Sequence, residues 1–153
     1  MIKKGIYAAS LSVLNENGTL NINETILHAE SAIRSGLHGV FFFGSTGQSQ
    51  LISINEKKEF IAKIANHKLK KQFFLGTGCN SLNDNINLIK YAMEYDFRDF
   101  LIMPPAYYKG NTEEGVFEFY KKIIAATPKA KIILYNFEKL SGYKFSAEAV
   151  TKL

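Results

Sequence analysis

The sequence predicts an α/β fold built on a parallel sheet, and three features predict it. Apolar, β-rich runs recur roughly every 30 residues. Stretches with helical periodicity separate them. The best-defined run, Val40-Phe41-Phe42-Phe43, is apolar without interruption, as a strand covered on both faces requires. Strands and helices alternating in this way wind into a parallel sheet with right-handed crossovers. The residue pattern leaves two architectures open, a doubly wound open sheet and part of a (β/α)8 barrel.

The strands are expected over residues 6–13, 40–43, 73–75, 100–103 and 132–135. Four apolar stripes at helical spacing lie between them. Ile26, Ala29, Ala32 and Ile33 form the first, and Phe60, Ile61 and Ile64 the second. Ile86, Ile89, Tyr91 and Met93 serve the third, and Val116, Phe119, Tyr120 and Ile123 the fourth. Ser53 with Glu56 makes a capping box, Ser81 with Asp84 a weaker one, and Thr112 precedes two glutamates. Gly36 follows the first helix as a C-terminal cap would. Ser146 opens a further helix over 147–153, which reaches about two turns, so the expectation is a chain cut in mid-element.

With 153 residues, 46% hydrophobic and 22% charged, the chain can bury one core, and no linker-like stretch divides it. A single domain over residues 1–153 is expected. No apolar run nears the roughly 20 residues of a membrane span, and MIKKGIYAAS lacks a signal-peptide core. One cysteine, Cys79, excludes an internal disulfide and fits a reducing, cytoplasmic setting. The net charge of +5 comes from scattered lysines; Arg34 and Arg98 are the only arginines, so a nucleic-acid partner is not expected. His28, His38 and His67 lie far apart and no Cys/His spacing fits zinc, so no metal site is expected.

Chemistry-bearing residues gather where four successive strands end. Gly44-Ser45-Thr46-Gly47 follows the second strand, a candidate carboxylate or phosphate cradle with two glycines that admit a close ligand. Gly76-Thr77-Gly78-Cys79-Asn80 follows the third and Pro104-Pro105-Ala106-Tyr107-Tyr108 the fourth, while Tyr135-Asn136 closes the fifth. A phenol titrates near 10 and needs a tuned setting to move protons. Ser45 and Tyr107 beside Tyr135 would make such a relay. Cys79, with no histidine beside it, reads as a small core filler.

The ordered set GSTGQS (44–49), GTGCNS (76–81), PPAYYKGNTEEG (104–115) and LYNFEKLSG (134–142) resembles the dihydrodipicolinate synthase/N-acetylneuraminate lyase family over the whole chain. The resemblance implies a (β/α)8 TIM barrel, here truncated after about five βα units. It implies a homo-oligomer, usually a tetramer, and a lyase acting on pyruvate or a related 2-oxo acid and an aldehyde. The chemistry runs through a lysine Schiff base, with no metal or organic cofactor. Ser45 and Thr46 match the pair that holds the 2-oxo acid carboxylate, with Gly47 in the same loop, and Ser45 also links two tyrosines. Tyr135 matches the general acid/base tyrosine, and Tyr107 the tyrosine lent across a subunit interface, with Tyr108 its rival.

Three positions depart from the family pattern. Gln48 stands where a glutamate is usual, and Phe137-Glu138 where an apolar residue and a proline are usual. Leu140 stands where dihydrodipicolinate synthases carry an arginine for the second substrate's carboxylate. The resemblance therefore points toward a neuraminate-lyase-like member rather than a lysine-biosynthetic 4-hydroxy-tetrahydrodipicolinate synthase. The Schiff-base lysine is expected at the end of a sixth strand, beyond Leu153. Lys109, Lys131, Lys139 and Lys144 sit in polar, loop-like contexts unsuited to imine chemistry. The chain alone is expected to be inactive, and a non-catalytic 2-oxo acid binder or a composite half-barrel is the alternative outside enzymes.

Overall fold

The computed structural model describes residues 2–153 and contains one five-stranded parallel sheet. Its strands, β1 (Tyr7–Ala9), β2 (Gly39–Phe42), β3 (Phe73–Gly76), β4 (Asp99–Ile102) and β5 (Lys131–Leu134), pair in chain order. The helices are α1 (Ile22–Arg34), α2 (Ile54–Ile64), α3 (Leu82–Glu94), α4 (Glu113–Ala126), α5 (Glu138–Ser141) and α6 (Ala147–Lys152). A doubly wound sheet reverses its strand order at a switch point; this one never does. The helices also follow each other in one layer, α1 against α2, α2 against α3 and α3 against α4. Sequential strands under one helical layer are five consecutive βα units of a (β/α)8 barrel.

Alternation along each strand assigns the two faces. Val40, Phe42, Phe73, Leu75, Phe100 and Ile102 face the helices and are buried in the core cluster with Phe60, Ile61, Ile89 and Ile123. The opposite face carries Tyr7, Phe41, Phe74, Leu101 and Ile133, and none of these belongs to that cluster. At the β1–β3 end this face packs on itself: Phe41 stacks on Phe74 at 5.1 Å, and Tyr7 meets Phe74 edge-on at 5.4 Å. Toward β4 and β5, Leu101 and Ile133 remain half-buried.

The expected caps are present. Ser53 accepts from Glu56 N–H while the Glu56 carboxylate accepts from Ser53 N–H. Asn21, Ser81, Thr112 and Ser146 each accept from a first-turn amide. Gly36, at φ 98°, donates its N–H to Ile33 O and ends the turn after α1. The first strand is shorter than expected, since beyond Ser10 the chain is held by Val13 N–H to Thr25 Oγ1 and by the Leu14–Leu20 bridge. The one-turn α5 and its closing Gly142 at φ 71° fall where no helix was expected. On α3 the buried face is Asn85, Leu88, Ile89 and Ala92; Ile86, Tyr91 and Met93 are only half-buried.

Candidate active site

A cavity of about 470 Å³ opens beyond the C-terminal ends of β2 to β5, where barrels build their sites. A larger hollow of about 880 Å³ lies at the opposite strand ends among Lys70, Lys71, Asp96 and Asp99. Its position opposes a catalytic role, because the hydroxyl-rich loops are not there. The upper cavity receives Ser45 from the β2 loop and Tyr135 from the residue after β5. Tyr135 shares the inward parity of Leu101 and Ile133, and its N–H donates to Ile102 O at 2.9 Å, which fixes its height above β4. Ser45 Oγ and Tyr135 OH then share a hydrogen bond of 3.0 Å across 90 residues of chain.

The β2 loop begins with backbone strain. Phe43 has φ 57°, a left-handed conformation rare for an aromatic residue, and its ring is held at 5.1 Å against Phe60. Its carbonyl lies so close to the end of β3 that a Cβ on Gly76 would stand 2.6 Å from it. Gly78, at φ 58°, leaves no room for a side chain against Ser49. Glycines at 76 and 78 thus let the loops after β2 and β3 touch.

Thr46 is exposed and, like Gly47, does not line the cavity. Gly47 is buried by packing, since a Cβ there would meet Ser10 O at 2.8 Å, while Ser12 Oγ donates to its carbonyl at 2.6 Å. Nothing lies within 4 Å of a Cβ on Gly44. Gly44 thus faces open space on the cavity wall, and Gly47 is fixed by packing against Ser10 and Ser12. The amides of Ser45, Thr46 and Gly47 donate to no acceptor among the described residues, so the loop offers unused N–H groups for an anion. Tyr107 stands on the cavity rim, 78% exposed, with its ring edge-on to Tyr108 at 5.1 Å and no hydrogen bond to Ser45 or Tyr135. Leu51, Leu101, Met103, Ala106 and Leu140, with Phe43, give the cavity its apolar wall. Among the described residues no Lys, Arg, His, Asp or Glu lines it, so neutral donors alone would meet a carboxylate.

One lysine escaped the sequence reading. Lys57 is 2% exposed on α2, donates to Thr77 O at 2.9 Å and lies 5.9 Å from the Phe43 ring centre. Its signal was present in the sequence as a lysine at helical spacing from Phe60, Ile61 and Ile64. Burial pushes its pKa down, against the opposing pull of Cys79, Asp84 and Glu56. Cys79 is buried beside it, donates to the same carbonyl at 3.1 Å, and is pushed up chiefly by burial. Lys57 does not line the cavity.

A lowered lysine pKa means that unfolding takes up a proton between the folded value and the ordinary 10.5, so stability rises with pH through that window. Wild type is expected to gain stability over Lys57→Met as pH rises toward 10.5, at no more than about 1.4 kcal/mol per pH unit. Urea denaturation at stepped pH reads this difference; parallel profiles would exclude a destabilised ammonium.

The chain matches the family model described as "Dihydrodipicolinate synthetase family" over residues 3–153. It is 30% identical over 150 residues to a 4-hydroxy-tetrahydrodipicolinate synthase of Coxiella burnetii, covering 97% of this chain and 51% of that protein. The crystal structure of dihydrodipicolinate synthase from Agrobacterium tumefaciens superposes with a TM-score of 0.90 at 25% identity, over 98% of this chain and 53% of that one. A chloride-inhibited dihydrodipicolinate synthase from Acinetobacter baumannii, complexed with pyruvate, gives a TM-score of 0.82 at 26% identity, over 97% and 50%. The chain spans about half the length of these relatives.

Proposed function

The chain belongs to the dihydrodipicolinate synthetase family, a family of aldolase-type lyases, and on that premise we propose that it carries the 2-oxo acid end of a carbon–carbon lyase site. The substrate is pyruvate or a close 2-oxo acid, joined to or released from an aldehyde. The observation that carries this reading is the Ser45–Tyr135 hydrogen bond at the mouth of the cavity. The free amides of the Ser45–Gly47 loop, with the Ser45 and Thr46 hydroxyls, hold the carboxylate without a cation. The Schiff-base lysine, which the family resemblance puts at the end of a sixth strand, adds to C2 of the oxo acid, and water leaves as the imine forms. Tyr135 donates the proton that lets that water depart, and Ser45, bonded to it, passes protons between Tyr135 and the Tyr107 that a second copy lends across a subunit interface.

A lysine-biosynthetic synthase is the second reading, favoured by the name of the Coxiella relative. Leu140 and the lack of a cation on the cavity wall oppose it, because a second carboxylate would meet apolar surface. A non-catalytic 2-oxo acid binder would share the loop but form no imine.

Borohydride reduction in the presence of pyruvate, read by intact mass, separates these outcomes. The 153-residue chain alone is expected to gain no adduct. Lys57, the one buried lysine among the described residues, is bonded to Thr77 O away from the cavity. The catalytically complete enzyme, with the sixth strand and its lysine, is expected to gain one pyruvate-sized adduct on one residue. An adduct on a single lysine of the short chain would overturn the placement of the amine, and no adduct on the complete enzyme would leave the binder.

A further inference from the structure

The structure assigns Asn80 as a positioning residue that straps the tyrosine-bearing loop after β4 to the loops after β2 and β3. The strap is a chain of three hydrogen bonds. Gln50 Nε2 donates to Gly78 O at 2.8 Å, Asn80 Nδ2 donates to Gln50 Oε1 at 2.9 Å, and Ala106 N–H donates to Asn80 Oδ1 at 2.8 Å. Its ends are backbone groups of fixed polarity, a carbonyl that only accepts and an N–H that only donates. Those ends fix the orientation of both carboxamides between them. A carboxamide accepts at its oxygen while donating from its nitrogen, as both middle positions of this chain require.

The loop after β4 needs such a tie. Pro104 and Pro105 have no N–H, so past Met103 the first amide this loop offers is that of Ala106, and it goes to Asn80. The next residue is Tyr107 on the cavity rim, exposed and held by no hydrogen bond of its own hydroxyl. The loop has two other polar ties among the described residues: Asn111 Nδ2 to Pro105 O lies within the same connection, and Lys109 Nζ to Leu140 O at 3.3 Å links its far end to α5, so neither joins it to the loops after β2 and β3. Asn80 itself is half-buried on the cavity wall, and its backbone follows the crowded glycine contact between the β2 and β3 loops. The hydroxyl loop, the glycine loop and the tyrosine loop are thereby registered on each other. The role rests on the proposed lyase reading only in what Tyr107 then does; the strap itself does not.

Hydrogen–deuterium exchange with mass readout tests the strap on the 153-residue chain in whatever assembly it adopts. A peptide starting at Met103 reports on Ala106 and Tyr107, because two prolines precede them. Asn80→Leu is expected to speed that exchange at least about tenfold, while Asn80→Asp, which keeps an acceptor for Ala106, stays within about threefold of wild type. Gln50→Ala, which cuts only the far end and stands in if Asn80→Leu does not fold, is expected to give about a threefold increase. Unchanged exchange in Asn80→Leu, or in Gln50→Ala where that variant stands in, overturns the strap.

In the catalytically complete enzyme, Asn80→Leu is expected to lower kcat at least about tenfold with the 2-oxo acid KM within about threefold, and Asn80→Asp to recover most of it. Faster exchange with kcat unchanged, or a rise confined to KM, overturns the positioning role. Tyr107→Phe, run in parallel, separates the two failures. If it leaves kcat intact while Asn80→Leu loses it, the proposed part of Tyr107 in the lyase fails and the strap acts on another group of that loop.

Discussion

Removing one oxygen atom from Tyr135 is expected to lower kcat of the complete enzyme by on the order of 10²–10⁴ while changing the 2-oxo acid KM only a few-fold. Tyr135→Phe keeps the ring, which lies 6.3 Å from Phe137, and keeps the N–H bond to Ile102 O that sets the residue's height. It deletes only the hydroxyl that Ser45 Oγ meets at 3.0 Å. Carboxylate binding is assigned to the β2 loop, so affinity is largely spared. Ser45→Ala is expected to show a smaller loss in kcat, since it removes the relay and leaves the terminal donor. Steady-state kinetics on both variants decide the roles. A Tyr135→Phe enzyme with near-normal kcat rules out the acid/base tyrosine, and an equal rise in KM alone would move Tyr135 into substrate binding.

The strand-end residues were legible because their periodicity and their glycines are local. The run 132–135 ends with Tyr135 on the inward parity, so strand register places its hydroxyl, whereas the run 40–43 ends where Phe43 turns left-handed and Ser45 follows in the loop its glycines mark. Side chains that act through long-range polar contacts were not legible. Asn85 occupies a core position on α3 because its amide meets Thr77 Oγ1, Cys79 O and Ser81 O; an apolar stripe cannot announce that and points to Tyr91 and Met93 instead. Lys57 is buried for the same kind of reason, through Thr77 O. Asn80 stood in a motif singled out for its glycines, yet its partners Gln50 and Ala106 lie on other loops, 30 and 26 residues away. Leu140 was read as a lost carboxylate partner, and the cavity has it on an apolar wall, an agreement of position that leaves the acceptor's identity to kinetics.

The 153-residue chain by itself is expected to self-associate rather than to persist as a tight monomer. A folded monomer of this mass, 17.2 kDa, exposes about 7,800 Å². This chain exposes 8696 Å², about 900 Å² more, an excess comparable with the roughly 800 Å² that each partner loses in a standard interface. Its source is identifiable. β1 and β5 each pair with one neighbour only, so each carries an open row of backbone donors and acceptors. Between them the inward face presents Leu101 and Ile133 half-buried, and the rim adds Leu51, Tyr107, Tyr108 and Leu140, all exposed. Apolar surface beside an unpaired strand edge is removed from water most simply by another strand-bearing surface, whether a second copy or further strands of a barrel. Size-exclusion chromatography with light scattering, alongside a thermal melt, reads the result. Dimers, higher oligomers or a broad transition are expected. Charge substitutions on the open face, Ile133→Lys above all, are expected to shift the distribution toward monomer without melting the helix-side core, because Ile133 lies outside it. A monodisperse wild-type monomer with one sharp transition would mean that the inward face is stable in water as it stands, and that five βα units of this sequence suffice as a domain.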